Sequence, residues 1–100
     1  MAEQKYPEWI WHNGKIVPWH EATVHVMSHS LQYGSAVFEG LRCYKTPTGG
    51  AIFRLAAHMK RLYNSARIYD MPMPCTIEEA TAACHEVLKK NGFEQAYLRP

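Results

Sequence analysis

Phe38, Gly40 and Arg42 are spaced two residues apart, as are Tyr97 and Arg99 near the other end of the chain. In an extended backbone alternate side chains share a face. If the two segments join one sheet, two guanidiniums, a phenol, a phenyl ring and a gap form one wall. Such a wall can hold a carboxylate at its basic end, because a guanidinium offers two parallel N–H donors, and an apolar group at the other. The same spacing also suits a half-exposed sheet in which Arg42 and Arg99 reach over a core phenylalanine with their heads in water. Spacing alone does not choose between these readings.

The remaining reactive side chains form no comparable set. His20, His25 and His29 are close in sequence, and His25 and His29 would share a face if helical. The residues between them are Val-Met-Ser, so no H-E-x-x-H zinc motif exists, and ordinary hydrogen-bonded histidines are expected. Cys43, Cys75 and Cys84 are odd in number and in no C-x-x-C arrangement, which fits reduced thiols. Cys43 and Cys84 are read as small buried apolar residues. Lys5, Lys15, Lys45, Lys60, Lys89 and Lys90 are assigned to turns, tails or exposed helix positions, where none makes a credible catalytic base.

Local patterns supply the elements that must position the wall. Two short apolar runs from Trp9 to Val17 flank Asn13-Gly14, the dipeptide best suited to a type I′ hairpin turn. Residues 22–32 fit neither period and are read as loop, with a helical turn near Ser30 to Tyr33. From Ala36 to Tyr44 the chain alternates, with Val37, Leu41 and Cys43 sharing a face with Glu39; a turn over Thr46 to Gly50 returns it as a second strand, Ala51 to Phe53. Leu55, Met59, Leu62, Ala66 and Tyr69 recur at spacings of four and three, the stripe of a helix from which Arg61 departs. Met71-Pro72-Met73-Pro74 ends it. Thr76 and Glu79 then open a second helix with a capping box, its apolar face being Ile77, Ala80, Cys84, Val87 and Leu88, and Gly92 closes it. Gln95 to Arg99 reads as a last strand.

The string Y-G-x-x-V-F-E-G-L-R-x-Y at Tyr33 to Tyr44 is accompanied by Phe53-Arg54-Leu55, by His58-Met59-Lys60-Arg61-Leu62 and by Tyr97-Leu98-Arg99-Pro100. Together they resemble the N-terminal part of the branched-chain amino-acid aminotransferases, fold-type-IV enzymes that use pyridoxal 5′-phosphate. The resemblance runs from about Trp11 to the last residue. It implies an α+β fold, the small N-terminal domain of that type, with an antiparallel sheet covered on one side by two helices as a two-layer sandwich. By the same resemblance Arg61 binds the cofactor phosphate. Phe38 and Gly40 line the pocket for a branched side chain, and Tyr33 reaches that pocket from a neighbouring subunit. Arg42 and Tyr97 hold the substrate α-carboxylate, and Arg99 recognises the second carboxylate of glutamate. The three arginines are expected to face one cleft.

No lysine here matches the one that carries the cofactor in that family. Residues 1–100 are therefore expected to be a substrate-side domain, inactive alone, with the cofactor-lysine domain outside them; the strand-like ending at Tyr97 to Pro100 is read as a truncation. The implied whole is a transaminase for leucine, isoleucine or valine and 2-oxoglutarate, a homo-oligomer built from dimers. D-amino-acid aminotransferases and aminodeoxychorismate lyases are alternatives of the same fold, against which Val37 to Arg42 favours the branched-chain group. A non-catalytic interaction fragment is the alternative of another class. Composition removes other classes: a net charge of +2 with signs interspersed gives no stripe for nucleic acid. No apolar region follows the first charges and no run of about 18 apolar residues occurs, so no membrane partner and a cytoplasmic location are expected.

Overall fold

A computed structural model describes residues 6–100. Strands β1 (Trp9–His12) and β2 (Lys15–Pro18) pair antiparallel, joined by Asn13 and Gly14 with φ of 51° and 91°, the two positive values that a type I′ turn requires. A 3₁₀ turn at Trp19–Glu21 follows, and α1 (His29–Tyr33) is a single short turn of helix ended by Gly34. His25 lies before α1 rather than on it, so His25 and His29 share no helix face.

Strands β3 (Leu41–Thr46), β4 (Gly49–Ile52) and β5 (Ala96–Leu98) form the main sheet in the order β4-β3-β5, antiparallel throughout. The predicted strand from Ala36 is regular only from Leu41, yet its alternation continues upstream: Glu39, Leu41 and Cys43 are buried while Phe38, Arg42 and Tyr44 are exposed. The Glu39 N–H donating to Pro100 O at 3.1 Å keeps that stretch extended beside β5. The expected sheet is two sheets. The β1–β2 ribbon stands apart and is held to α3 (Ile77–Asn91) by Asn91, whose Oδ1 accepts from Trp9 N–H and whose Nδ2 donates to Trp9 O, both at 3.0 Å.

Helices α2 (Leu55–Ile68) and α3 cover one face of the main sheet. Leu41, Met59, Leu62 and Cys84 form the centre of the core, with Val37, Ile52, Leu55 and Leu98 packed around them. Tyr69, expected on the buried stripe of α2, is exposed, because the helix ends at Ile68 and Asp70 turns the chain away with φ of 55°. The capping box of α3 forms in both directions: Glu79 N–H donates to Thr76 Oγ1 at 3.1 Å, and Thr76 N–H donates to Glu79 Oε1 at 3.0 Å. Among the described residues no helix is long and apolar enough to cross a membrane.

Candidate functional site

The register of β3 with β5 decides where the arginine wall lies. Leu41 faces Leu98, Arg42 faces Tyr97 and Cys43 faces Ala96. Since opposed residues in an antiparallel pair point to the same side, Leu41, Cys43, Ala96 and Leu98 turn towards the helices. Arg42, Tyr97 and Arg99 take the outer face. There the Tyr97 ring lies under two guanidiniums, with Arg42 Cζ 5.5 Å and Arg99 Cζ 5.1 Å from its centre, and Arg99 also covers Phe38 at 4.6 Å. Phe38, at 64% exposure, and Tyr97, at 51%, are therefore not core residues. The snorkelling alternative needed Phe38 inside.

Gly40 lies beside this stack, and the gap it leaves is already filled. A Cβ built there would overlap the Tyr97 hydroxyl and come within 3.0 Å of Tyr97 Cζ. The missing side chain thus lets the phenol lie over the backbone at Gly40, which sets the height of the ring on which both arginines rest.

Arg61 is held by a different partner. Its Nε and Nη2 donate to Glu39 Oε2 and Oε1, each at 2.8 Å, and His58 Nδ1 lies 2.7 Å from the same Oε1. Glu39 is buried among the groups on the helix side, between Phe38 and Gly40 on the outer side. The three guanidiniums differ in what holds them, aromatic rings for Arg42 and Arg99 and a carboxylate for Arg61. The Arg61 hydrogen bonds are the largest influence on the Glu39 carboxyl, drawing it from 4.5 down to about 2 against the opposing effect of burial, with His58 adding to the fall. Glu39 in turn raises the guanidinium further above its ordinary range. With a side chain 67% exposed, and N–H groups beyond these two bonds that meet no acceptor among the described residues, Arg61 retains donors for an external anion. That donor set fits a phosphate.

Tyr33, 76% exposed at the end of α1, touches none of these groups; its ring packs on His29 at 4.7 Å. His29 Nδ1 is 2.6 Å from Ser35 Oγ, and His25 Nδ1 accepts from Met27 N–H at 3.0 Å, so both histidines brace the loop. Among the described residues no group of three His, Cys, Asp or Glu side chains could hold a metal. All three cysteines are free, with Cys43 and Cys84 buried. Lys15 and Lys45 sit on strands rather than in turns, Lys60, Lys89 and Lys90 lie on helices, and all five are exposed; Lys5 lies outside the described residues. An apolar groove of about 740 Å³ is lined by Trp9, Leu62, Val87, Leu88 and Leu98 and reaches Tyr97 and Arg99.

Residues 36–100, which carry the stack, Glu39 and Arg61, match the amino-transferase class IV family model. The chain belongs to that family. The branched-chain-amino-acid aminotransferase of Escherichia coli (strain K12) is 49% identical over 96 residues, covering 96% of this chain and 31% of its own length. The T.th. branched-chain amino acid aminotransferase complexed with N-(5′-phosphopyridoxyl)-L-glutamate superposes with a TM-score of 0.92 at 48% identity, over 96% of this chain and 32% of that one. Its complex with 4-methylvaleric acid gives 0.93 over the same shares. This class IV chain therefore spans about a third of the length of the relatives it matches, and its α+β fold is theirs.

Glu39 and His58 went unassigned as functional residues in the sequence. The signal for Glu39 was present: a carboxylate alternating with Val37, Leu41 and Cys43 on an apolar face needs a buried partner. His58 and Arg61, three apart and beside the buried stripe of α2, were the candidates to meet it.

Proposed function

We propose that this chain is the substrate-side part of a pyridoxal 5′-phosphate-dependent branched-chain amino-acid transaminase, an enzyme moving amino groups between leucine, isoleucine or valine and 2-oxoglutarate. The observation that carries this reading is the stack of Arg42, Tyr97, Arg99 and Phe38 on one open face, in a chain half identical to aminotransferases of that name. Amino acids and 2-oxo acids share an α-carboxylate, and Arg42 with the Tyr97 phenol supplies paired donors to hold it. Phe38, with Gly40 beside it, offers the branched side chain an apolar bed. Arg99, resting over the Phe38 ring, meets the second carboxylate of glutamate, so a charged side chain enters without being buried unpaired. The solved relative's complexes with a glutamate adduct and with 4-methylvaleric acid support a pocket of this dual character.

Arg61 holds the cofactor phosphate in this reading. The cofactor, when bound, supplies the electron sink that the exchange of the amino group needs. The lysine that carries it, and the acid beside its ring, belong to polypeptide outside these 100 residues. Exposed Val24, Val26, Met27, Leu31 and Tyr33 on the loop around α1 support contact with a second copy, whose pocket Tyr33 enters. The enzyme works in the cytoplasm as a homo-oligomer.

The test is the steady-state kinetics of the complete gene product and its Arg99→Met variant. Loss of one charge-assisted contact should lower kcat/KM for glutamate about tenfold to a hundredfold, with leucine changed far less. An equal fall for both substrates would remove Arg99 from its role. Turnover of D-alanine with none of leucine would overturn the substrate class.

A further inference from the structure

Among the described residues Glu39 is the one buried polar or charged side chain, and the proposed substrate wall does not use it. A carboxylate taken out of water costs free energy that only close, well-aligned partners offset. Its partners both come from one turn of α2: His58 Nδ1 at 2.7 Å, and Arg61 through Nε and Nη2 at 2.8 Å each. Residues three apart on a helix rise from the same face, so the carboxylate closes a bridge across that face from the extended segment between Phe38 and Gly40. The two parallel bonds to Arg61 do more than neutralise it. Fork-to-fork pairing fixes the plane and rotamer of the guanidinium, leaving its other N–H groups aimed in one direction before any ligand arrives.

Resting on the reading of Arg61 as the phosphate ligand, we infer that Glu39 is a positioning residue for that arginine, with His58 as a second brace. The carboxylate holds the guanidinium so that its unused donors are presented to a phosphate monoester, and it ties this anion site to the segment carrying Phe38 and Gly40. An arginine fixed in advance loses less conformational freedom on binding than one on a free stem. Glu39 also places a negative charge near the phosphate, so orientation and charge act in opposite senses. Orientation prevails here because the bidentate pair already absorbs the carboxylate charge.

Titration calorimetry on the complete gene product with pyridoxamine 5′-phosphate and with pyridoxamine separates the phosphate contribution from the rest. Arg61→Ala should lower affinity for the phosphorylated ligand and leave pyridoxamine unchanged. Glu39→Gln, which keeps the side-chain volume, should lower the phosphorylated ligand's affinity about tenfold, the scale of one hydrogen bond to a charged group, again sparing pyridoxamine. In the ligand-free protein the Arg61 Nε–H should give a slowly exchanging ¹⁵N signal that Glu39→Gln removes. Should Glu39→Gln fold poorly, His58→Gln removes one brace and should produce a smaller loss confined to the phosphorylated ligand. If Arg61→Ala lowers the phosphate contribution and the two bracing variants do not, the positioning role fails while the phosphate reading stands. If Arg61→Ala itself has no effect, both fail. A loss shared equally by the two ligands, or a gain for the phosphorylated one, likewise overturns the positioning role.

Discussion

Gly40→Ala isolates the step that assembles the arginine wall. Gly40 is not among the positive-φ glycines, so alanine is allowed there by the backbone, and the change should raise stability by about 0.4–1 kcal/mol through the unfolded chain. Against this, the new methyl overlaps the Tyr97 hydroxyl and lies 3.0 Å from Cζ and 3.5 Å from Cε2, so the ring must withdraw. A displacement of roughly 1 Å restores ordinary carbon contacts of about 3.5–4.0 Å. It also loosens the cation–π contacts to Arg42 and Arg99, now at 5.5 and 5.1 Å, which at exposed positions are worth about 0.5–1 kcal/mol each. The net cost to folding is thus about 1 kcal/mol or less, whereas the donors proposed for the α-carboxylate all move. The expected result is a small shift in urea midpoint with KM raised about tenfold for leucine, norvaline and alanine alike. Tyr97→Phe removes the overlapping oxygen, so the double variant should do better than the product of the single effects, by a coupling of about 1 kcal/mol. If the glycine instead leaves open space for substrate, Gly40→Ala will penalise leucine and spare alanine, and the two substitutions will be independent. That pattern would refute the role given to Tyr97.

Three further outcomes test the frame around the wall. The Glu39 carboxyl is lowered in the folded protein from 4.5 to about 2, chiefly by its hydrogen bonds to Arg61, so its stabilising effect is complete above pH 4.5 and is lost as pH falls from there towards 2. Urea midpoints measured down that range should fall more steeply for the natural protein than for Glu39→Gln, and parallel curves would deny the coupling. Leu41→Ala empties a fully buried position beside Met59 and Leu62; equilibrium unfolding should show a loss of about 2–5 kcal/mol, and a loss under about 1 kcal/mol would place the core elsewhere. Thr76→Ala removes the reciprocal cap of α3 and should cost about 1 kcal/mol, seen by the same measurement.

Local signals carried the elements well. The hairpin turn at Asn13-Gly14, the capping box at Thr76 and the stop at Gly92 each rest on a few adjacent residues whose backbone preferences are strong, and each lies where those preferences put it. Tyr69 shows the limit of the same reasoning, since a stripe of apolar spacings continues past the residue at which the helix ends, and only Asp70 leaving in the left-handed region says where that is. The separation of the first hairpin from the main sheet depends on which strand pairs with which, a choice made between residues far apart in the chain.

The two halves of the site divide along the same line. The face shared by Phe38, Gly40 and Arg42 follows from strand period, and that of Tyr97 and Arg99 likewise, but their union requires Arg42 opposite Tyr97. A slip of one residue would have sent Tyr97 to the helices. Arg61 illustrates the converse: its place beside the buried stripe of α2 was legible, whereas its direction was set by Glu39, 22 residues upstream. The three arginines also differ in the fold by what restrains them. Arg42 and Arg99 rest on an aromatic ring with no bidentate partner to fix them, which suits the proposed contact with substrates of different shape. Arg61 is pinned by two parallel bonds to a buried carboxylate, which suits an invariant anion and would hinder the accommodation of varied side chains.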